Sequence, residues 1–262
     1  MNYKEMYLNG LIPENLRVYD CHVHTGYFPG TTAFNSSAEA LCSIMDRMKI
    51  KKSVVSATEA IKGNFKDGND YVVNVVAKYP DKLLGYAVVN PNYPDGTVDE
   101  IKRCRGKNMV GIKIHPSYAR MGVLRPEYES VFRYANERGT VILVHTWSSN
   151  DVKELTEIAE KYPGGKYIIA HSGALDGYMF TANVIKTHTN LWCDICMGSA
   201  PSVRLEYLVE HGSDDKILFG SDALLSDPGI TYGRIMLSDI PDRSKEKIMG
   251  ENFEKLFADA EL

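Results

Sequence analysis

The chain has 262 residues, of which 44% are hydrophobic and 24% are charged, and its formal net charge is −4. This composition is typical of a globular protein, and the lack of long basic runs argues against a nucleic-acid partner. No stretch approaches the roughly 18 consecutive apolar residues of a membrane-spanning helix, and the N-terminus lacks the pattern of a signal peptide. We therefore expect a cytoplasmic protein that binds neither membranes nor nucleic acids.

Eight short runs rich in Val, Ile, Leu and Tyr predict strands of a parallel sheet whose outer side is covered by helices. They are Leu16–His22, Lys52–Ser56, Leu83–Asn90, Met109–His115, Val141–His145, Tyr167–His171, Leu191–Asp194 and Ile217–Gly220. The amphipathic patterns among them predict helices at Ser37–Met48, Asn69–Lys78, Thr97–Arg105, Pro126–Arg138, Asn150–Tyr162, Gly177–Thr187, Val203–His211 and Ser244–Phe257.

This alternation of strands and helices predicts an α/β fold, a distorted (β/α)8 TIM barrel that forms a single domain over residues 1–262. A doubly wound open sheet is the alternative, but no G-x-G-x-x-G motif follows the first run. The five cysteines are an odd number without a disulfide pattern. Cys193 and Cys196 form a lone C-x-x-C pair, which we interpret as two packed thiols because a structural zinc site needs a second pair.

Histidines collect at the ends of the predicted strands, where the chemistry of such barrels is located. His22 and His24 are two residues apart, so in a strand their side chains project to the same side and can close on one metal ion. Read alone, this pair is equally well explained as two surface histidines. The other strand-end residues that could contribute are Lys113, His115, His145, His171 and Asp222.

Taken together, these segments resemble the amidohydrolase superfamily, in particular its family 2 branch, which also contains aminocarboxymuconate-semialdehyde decarboxylase. The segments that carry the resemblance are Asp20-x-His22-x-His24, Gly111-Ile-Lys113-Ile-His115-Pro116, Val144-His145, Lys166–Gly173, Ile217–Asp222 and Ile248–Phe257. They follow the family's order and span nearly the whole chain.

The resemblance implies that His22, His24, His145 and Asp222 bind a divalent metal, and that His171 acts in catalysis or binds a second ion. Three imidazoles and one carboxylate suit zinc best, with manganese or iron(II) as alternatives. Whether one or two ions bind stays open. Asp222 is then expected to accept a proton from the metal-activated water, and His171 to stabilise charge that develops on the substrate.

Lys113 and His115 lie on the same face of the fourth strand, with Ile112 and Ile114 on the other. A lysine inside a barrel needs a partner, so we expect an ion pair with Asp20. A carboxylated Lys113 that bridges two metals is the alternative. His115 is expected either to face the substrate or to support the metal ligands.

Aromatic and arginine residues in the loops predict where substrate recognition occurs. The candidates are Tyr27, Phe28, Tyr118, Arg120 and Trp147. Aromatic rings together with a guanidinium suggest a small cyclic or aromatic carboxylate.

The favoured interpretation of function is a hydrolase that cleaves an amide, cyclic amide or lactone with a metal-activated water. The first alternative is a metal-dependent decarboxylase of a small aromatic or unsaturated acid, and an arginine near the metal would favour it. The second alternative is a barrel that binds a metal or ligand without catalysis. The resemblance also suggests a homodimer.

Overall fold

The computed structural model describes residues 2–26, 35–197 and 200–260. Eight parallel strands form one sheet in which every strand pairs with the next along the chain. They are Val18–Thr25 (β1), Ile50–Ala57 (β2), Leu83–Val88 (β3), Met109–Ile114 (β4), Val141–His145 (β5), Lys166–Ala170 (β6), Leu191–Asp194 (β7) and Ile217–Leu218 (β8).

The chain that follows β8 closes this sheet into a barrel. The amide of Cys21 donates to the carbonyl of Phe219 at 3.0 Å, and the amide of Asp222 donates to the carbonyl of His22 at 2.9 Å. A parallel bridge between Val23 and Ala223 continues the contact. The predicted barrel is therefore confirmed, although β8 is shorter than predicted because its pairing with β7 covers only two residues.

Helices connect the strands, and most of them pack against the outer side of the barrel. They are Tyr3–Leu8 (α1), Ala38–Met48 (α2), Thr58–Ile61 (α3), Phe65–Lys78 (α4), Pro94–Cys104 (α5), Pro116–Ala119 (α6), Glu129–Arg138 (α7), Ser149–Lys161 (α8), Tyr178–Thr187 (α9), Ser202–His211 (α10), Pro228–Leu237 (α11), Asp242–Glu246 (α12) and Asn252–Phe257 (α13). Short 3-10 turns precede α7 and β8 and follow β6. No helix in the described part of the chain is long and apolar enough to cross a membrane.

Two differences between the predicted and observed helices lie in the last part of the chain. The predicted continuous helix over Ser244–Phe257 is interrupted by a π-helical turn at Lys247–Glu251, where the carbonyl of Ile248 accepts a hydrogen bond from the amide of Phe219 on the barrel wall. Helix α11 was missed because its glycines weaken the helical signal. Its N-cap, Asp227, accepts a hydrogen bond from the amide of Gly229 at 2.8 Å, and the Asp-Pro pair at this end could have revealed the helix.

Apolar side chains form two layers, one inside the barrel and one between the strands and the helices. On β4, Ile112 and Ile114 belong to the outer layer, so Lys113 between them faces the barrel interior as predicted. On β1 the alternation is inverted by a register shift between Asp20 and Val23. This β-bulge contains His22, one of the predicted site residues.

The bulge determines where the side chains of β1 point. Val18 and Val23 both pack in the outer layer, although regular alternation would put them on opposite faces. Cys21 packs inside the barrel, where its carbonyl accepts a hydrogen bond from the Tyr86 hydroxyl at 2.9 Å. Pairing with β2 also continues to Thr25, so the strand does not end at His22 as predicted.

Candidate metal centre

A cavity of about 400 Å³ opens at the carboxyl ends of the strands. It is lined by His22, His24, Ile61, Lys113, His115, Ser117, Tyr118, His145, Trp147, His171, Asp222 and Leu225. The structure therefore brings all the predicted strand-end residues to one cavity. Of the loop candidates, Tyr118 and Trp147 contribute to the wall. Arg120 does not: it is exposed and lies outside the wall. Tyr27 and Phe28 lie outside the described residues.

Three side chains of this cavity place their ligand atoms close together. The Nε2 atoms of His22 and His24 are 3.2 Å apart, and Oδ1 of Asp222 is 3.1 Å from Nε2 of His24 and 3.7 Å from Nε2 of His22. With metal–ligand bonds of about 2.0–2.2 Å, neighbouring ligand atoms are about 3.0–3.5 Å apart. Both separations from Nε2 of His24 lie in this range, and the third is slightly longer, so a small movement of Asp222 would place all three atoms around one divalent ion.

The two histidines are oriented by different partners. Nδ1 of His22 donates to Oδ2 of Asp194 at 2.9 Å, which leaves the lone pair on Nε2. Nδ1 of His24 is 2.9 Å from the hydroxyl of Ser56. Such outer hydrogen bonds orient the ring of a metal-binding histidine. The sequence analysis missed both partners, although Ser56 and Asp194 are the last residues of two predicted strands.

His145 and His171 form a second pair. Nδ1 of His171 donates to the carbonyl of Cys196 at 2.7 Å, so its Nε2 accepts from Nδ1 of His145 at 3.1 Å. The lone pair of His145 is then on Nε2, as metal binding requires. Among the described residues, two groups of potential ligand atoms lie close together, one from His22, His24 and Asp222 and one from His22, His171 and Cys196, and neither includes His145. The role of His145 as a ligand stays a prediction.

Cys196 lies behind the cavity, next to the Nδ1 edges of the His22 and His171 rings. Its Sγ is 3.1 Å from Nδ1 of His22 and 3.2 Å from Nδ1 of His171. Both Nδ1 atoms donate hydrogen bonds to other acceptors, so they cannot at the same time offer lone pairs to a metal. Burial raises the pKa of the Cys196 thiol well above its usual value, which disfavours a thiolate ligand. Cys193 and Cys196 are buried free thiols, as predicted.

Lys113 does not form the predicted ion pair with Asp20. Its Nζ lies 2.9 Å from Nε2 of His22. Oδ1 of Asp20 instead accepts the amides of His22 and Ser221, both at 3.1 Å. Regular alternation predicts that Asp20 and His22 lie on the same face of β1. Because of the bulge, their side chains point in different directions. Burial also raises the pKa of Asp20 to about 7, so it is a poor counter-ion.

Burial favours the neutral imidazoles of His22, His24 and His115. It lowers the pKa of His22 well below its usual value and also that of His24, and the charge of Lys113 adds to both shifts. The same causes lower the pKa of His115 to about 2. Burial opposes ionisation of Asp222, but its hydrogen bond to His24 outweighs this effect and lowers its pKa. Neutral imidazoles and an ionised carboxylate are the forms that bind metals.

One wall of the cavity is made of stacked aromatic rings. The imidazoles of His115 and His145 stack with centroids 3.8 Å apart and planes 15° apart. The indole of Trp147 continues the stack at 5.5 Å from His145 and 9° from its plane. Tyr118 packs edge-on against His115 at 4.6 Å. The wall is thus a stack of nearly parallel rings next to the amino group of Lys113, whose pKa is lowered by burial.

Solved structures with this fold span nearly the whole chain. A 2,6-dihydroxybenzoate decarboxylase from Rhizobium has a TM-score of 0.75 and 14% identity, covering 94% of this chain and 99% of that one. A dihydroxybenzoic acid decarboxylase from Polaromonas, with bound manganese and the inhibitor 2-nitroresorcinol, has a TM-score of 0.77 and 14% identity over 93% and 97%. An uncharacterised TIM-barrel protein from Bordetella bronchiseptica has a TM-score of 0.77 and 16% identity over 93% and 99%.

The comparison with family models covers most of the chain as well. The amidohydrolase family model matches residues 19–258, from the middle of the first strand run through the last helix. This range includes every histidine, lysine and aspartate described above. With this match and the eight-stranded barrel, the chain belongs to the amidohydrolase family.

Proposed function

We propose that the chain is a metal-dependent decarboxylase of a small aromatic or unsaturated carboxylic acid. The observation that carries this proposal is the stack of parallel rings of His115, His145 and Trp147 beside the buried amino group of Lys113. A planar ring can lie along such a wall while its carboxylate meets this amino group. Similar barrels include decarboxylases of dihydroxybenzoates, which supports this substrate class. The alternative in the sequence analysis is therefore preferred over its favoured interpretation.

We propose His22, His24 and Asp222 as the metal ligands, with His145 completing the set. When bound, a divalent ion would supply Lewis-acid polarisation of the substrate's oxygen atoms. The donor set suits zinc and manganese alike, and the manganese in the Polaromonas enzyme makes this ion the first to test.

Decarboxylation breaks the bond between carbon and the carboxylate, leaves the electron pair on that carbon and requires a proton there. Asp222 lies at the cavity with one side-chain oxygen held by His24. Because its carboxylate is ionised, it would take this proton from a solvent water and pass it to the carbon, and the hydroxide left behind combines with CO₂ to give bicarbonate. His171 lines the same cavity, and its Nε2 accepts the hydrogen bond of Nδ1 of His145, so it orients the ring of His145 toward the cavity. Trp147 and Tyr118 restrict the ring to one orientation and reduce access of water.

Hydrolysis is the second candidate, and one observation favours it. No arginine lines the cavity within the described ranges, so the guanidinium expected to grip a carboxylate is absent from that part of the wall. A cavity with a metal, a water and the base Asp222 would also serve the cleavage of a lactone or an amide.

Product analysis separates the two functions. Protein loaded with Mn²⁺ or Zn²⁺ is incubated in D₂O with hydroxybenzoic and unsaturated acids, and in parallel with lactones and amides. We expect CO₂ release in equal amount with a product deuterated at the vacated carbon. Turnover of lactones or amides without CO₂ release would support hydrolysis, and a metal-loaded protein inert toward the whole panel would support the non-catalytic alternative.

Replacing Lys113 with Met should weaken binding of the acid substrate more than the chemical step. A hydrogen bond to a charged group contributes about 1.5–3 kcal/mol, so KM should rise about 10- to 100-fold while kcat changes less. Metal content is measured in parallel, since Lys113 also contacts His22. Lys186→Met, an exposed position on α9, is the control. An unchanged KM would show that Lys113 does not bind the carboxylate.

A further inference from the structure

The carboxylate of Asp194 joins two residues of the cavity from behind. Its Oδ2 accepts from Nδ1 of His22 at 2.9 Å, and its Oδ1 accepts from the backbone amides of His171 at 2.8 Å and Cys196 at 3.1 Å. The Asp194 side chain is fully buried. We infer that Asp194 is a positioning residue that holds His22 in the one tautomer able to bind a metal, and that places His171 beside it.

The hydrogen bond to Asp194 determines the tautomer of His22. A carboxylate oxygen can only accept a hydrogen bond, so the proton of the neutral His22 ring is on Nδ1 and the lone pair is on Nε2. The hydroxyl of Ser56, at the same 2.9 Å from His24, can donate or accept. His24 can therefore exchange its tautomer between pairing with Asp222 and binding a metal, whereas His22 cannot.

The contact between Asp194 and His171 holds a short backbone segment in an unfavourable conformation. His171 and Ser172 have φ values of 59° and 50° in the left-handed region, which costs residues with a side chain about 1–2 kcal/mol. The Oδ1 atom of Asp194 holds the amide of His171, and the carbonyl of Asp194 accepts from the Ser172 hydroxyl. One residue at the end of β7 thereby fixes both the ring of His22 and the position of His171.

The inference rests on the proposed metal centre, but its main test needs no metal. In metal-free protein, nitrogen-15 chemical shifts of the histidine rings report which nitrogen of His22 carries the proton. We expect Nδ1 in the native chain. In Asp194→Asn the amide oxygen can still accept the two backbone amides while the NH₂ group faces His22. The proton should therefore move to Nε2.

Metal affinity gives the second readout. Loss of a group that orients a metal ligand costs about 10- to 100-fold in affinity, so the Kd of Asp194→Asn for Mn²⁺ should rise by this factor. Ser56→Ala is the matched control, because it removes a hydrogen bond of the same length from the neighbouring histidine. We expect the control to keep the native His22 tautomer and to lose less affinity than Asp194→Asn.

The results of these measurements distinguish the role of Asp194 from the proposed metal function. A native His22 protonated on Nε2 would overturn the inference without any variant, even if Asp194→Asn does not fold. A folded Asp194→Asn with the native tautomer and unchanged Kd would overturn it as well. Failure of the native chain to bind Mn²⁺ or Zn²⁺ would instead overturn the proposed metal function, while the tautomer of the metal-free protein still tests the role of Asp194.

Discussion

Replacing His24 with Ala is expected to abolish most metal binding and to reduce kcat/KM by about 10³-fold, equivalent to about 4 kcal/mol in the barrier. Nε2 of His24 lies 3.1 Å from Oδ1 of Asp222 and 3.2 Å from Nε2 of His22. Without it, only two of the three neighbouring ligand atoms remain. Removal of His24 leaves the Ser56 hydroxyl and the Asp222 carboxylate without this partner. The variant should still fold, because the Asp222 side chain is only partly buried and water can solvate it.

The measurement is metal content by elemental analysis together with steady-state kinetics and the Tm of the metal-free protein. His211→Ala is the control, since its half-exposed side chain lies at the end of α10, far from the cavity wall. Retention of the native metal content and activity by His24→Ala would show that the metal site is elsewhere or does not exist.

Asp222→Asn is expected to retain the fold and to lose about 10²–10⁴-fold in kcat, the range typical of a missing general acid or base. The amide has the same shape but can neither carry a negative charge nor accept the proton. Asn is preferred to Ala because residue 222 has a φ of 61°, which Asn tolerates better than most residues with a side chain.

The control for this variant is Asp239→Asn, which changes an exposed carboxylate paired with Lys4. Equal Tm values for metal-free native protein and Asp222→Asn, together with equal metal content under the assay conditions, would show that the loss is chemical. If Asp222→Asn instead kept the native kcat with metal bound, proton transfer would have to be assigned to another residue, with His171 the first to examine.

The sequence was sufficient for the barrel and for most residues that line its cavity. Near-continuous apolar runs alternate with amphipathic ones, and this pattern depends only on local periodicity and on which face of each element is buried. In a parallel barrel all strands end at the same rim, so polar residues at strand ends meet there whatever the details of packing. His22, His145 and Asp222 could therefore be placed in one cavity before their contacts were known.

Only the tertiary structure decided how these side chains pair. Asp194 and His22 are 172 positions apart, and their hydrogen bond depends on closure of the barrel. The bulge in β1 turned Asp20 away from Lys113, because a register shift inverts the alternation on which the predicted ion pair relied. Arg120 follows a short helix that leaves it outside the cavity wall. Strand periodicity predicts the face on which a side chain lies only where the hydrogen bonding between strands is regular. The partner of that side chain is determined only when the neighbouring strands are in place.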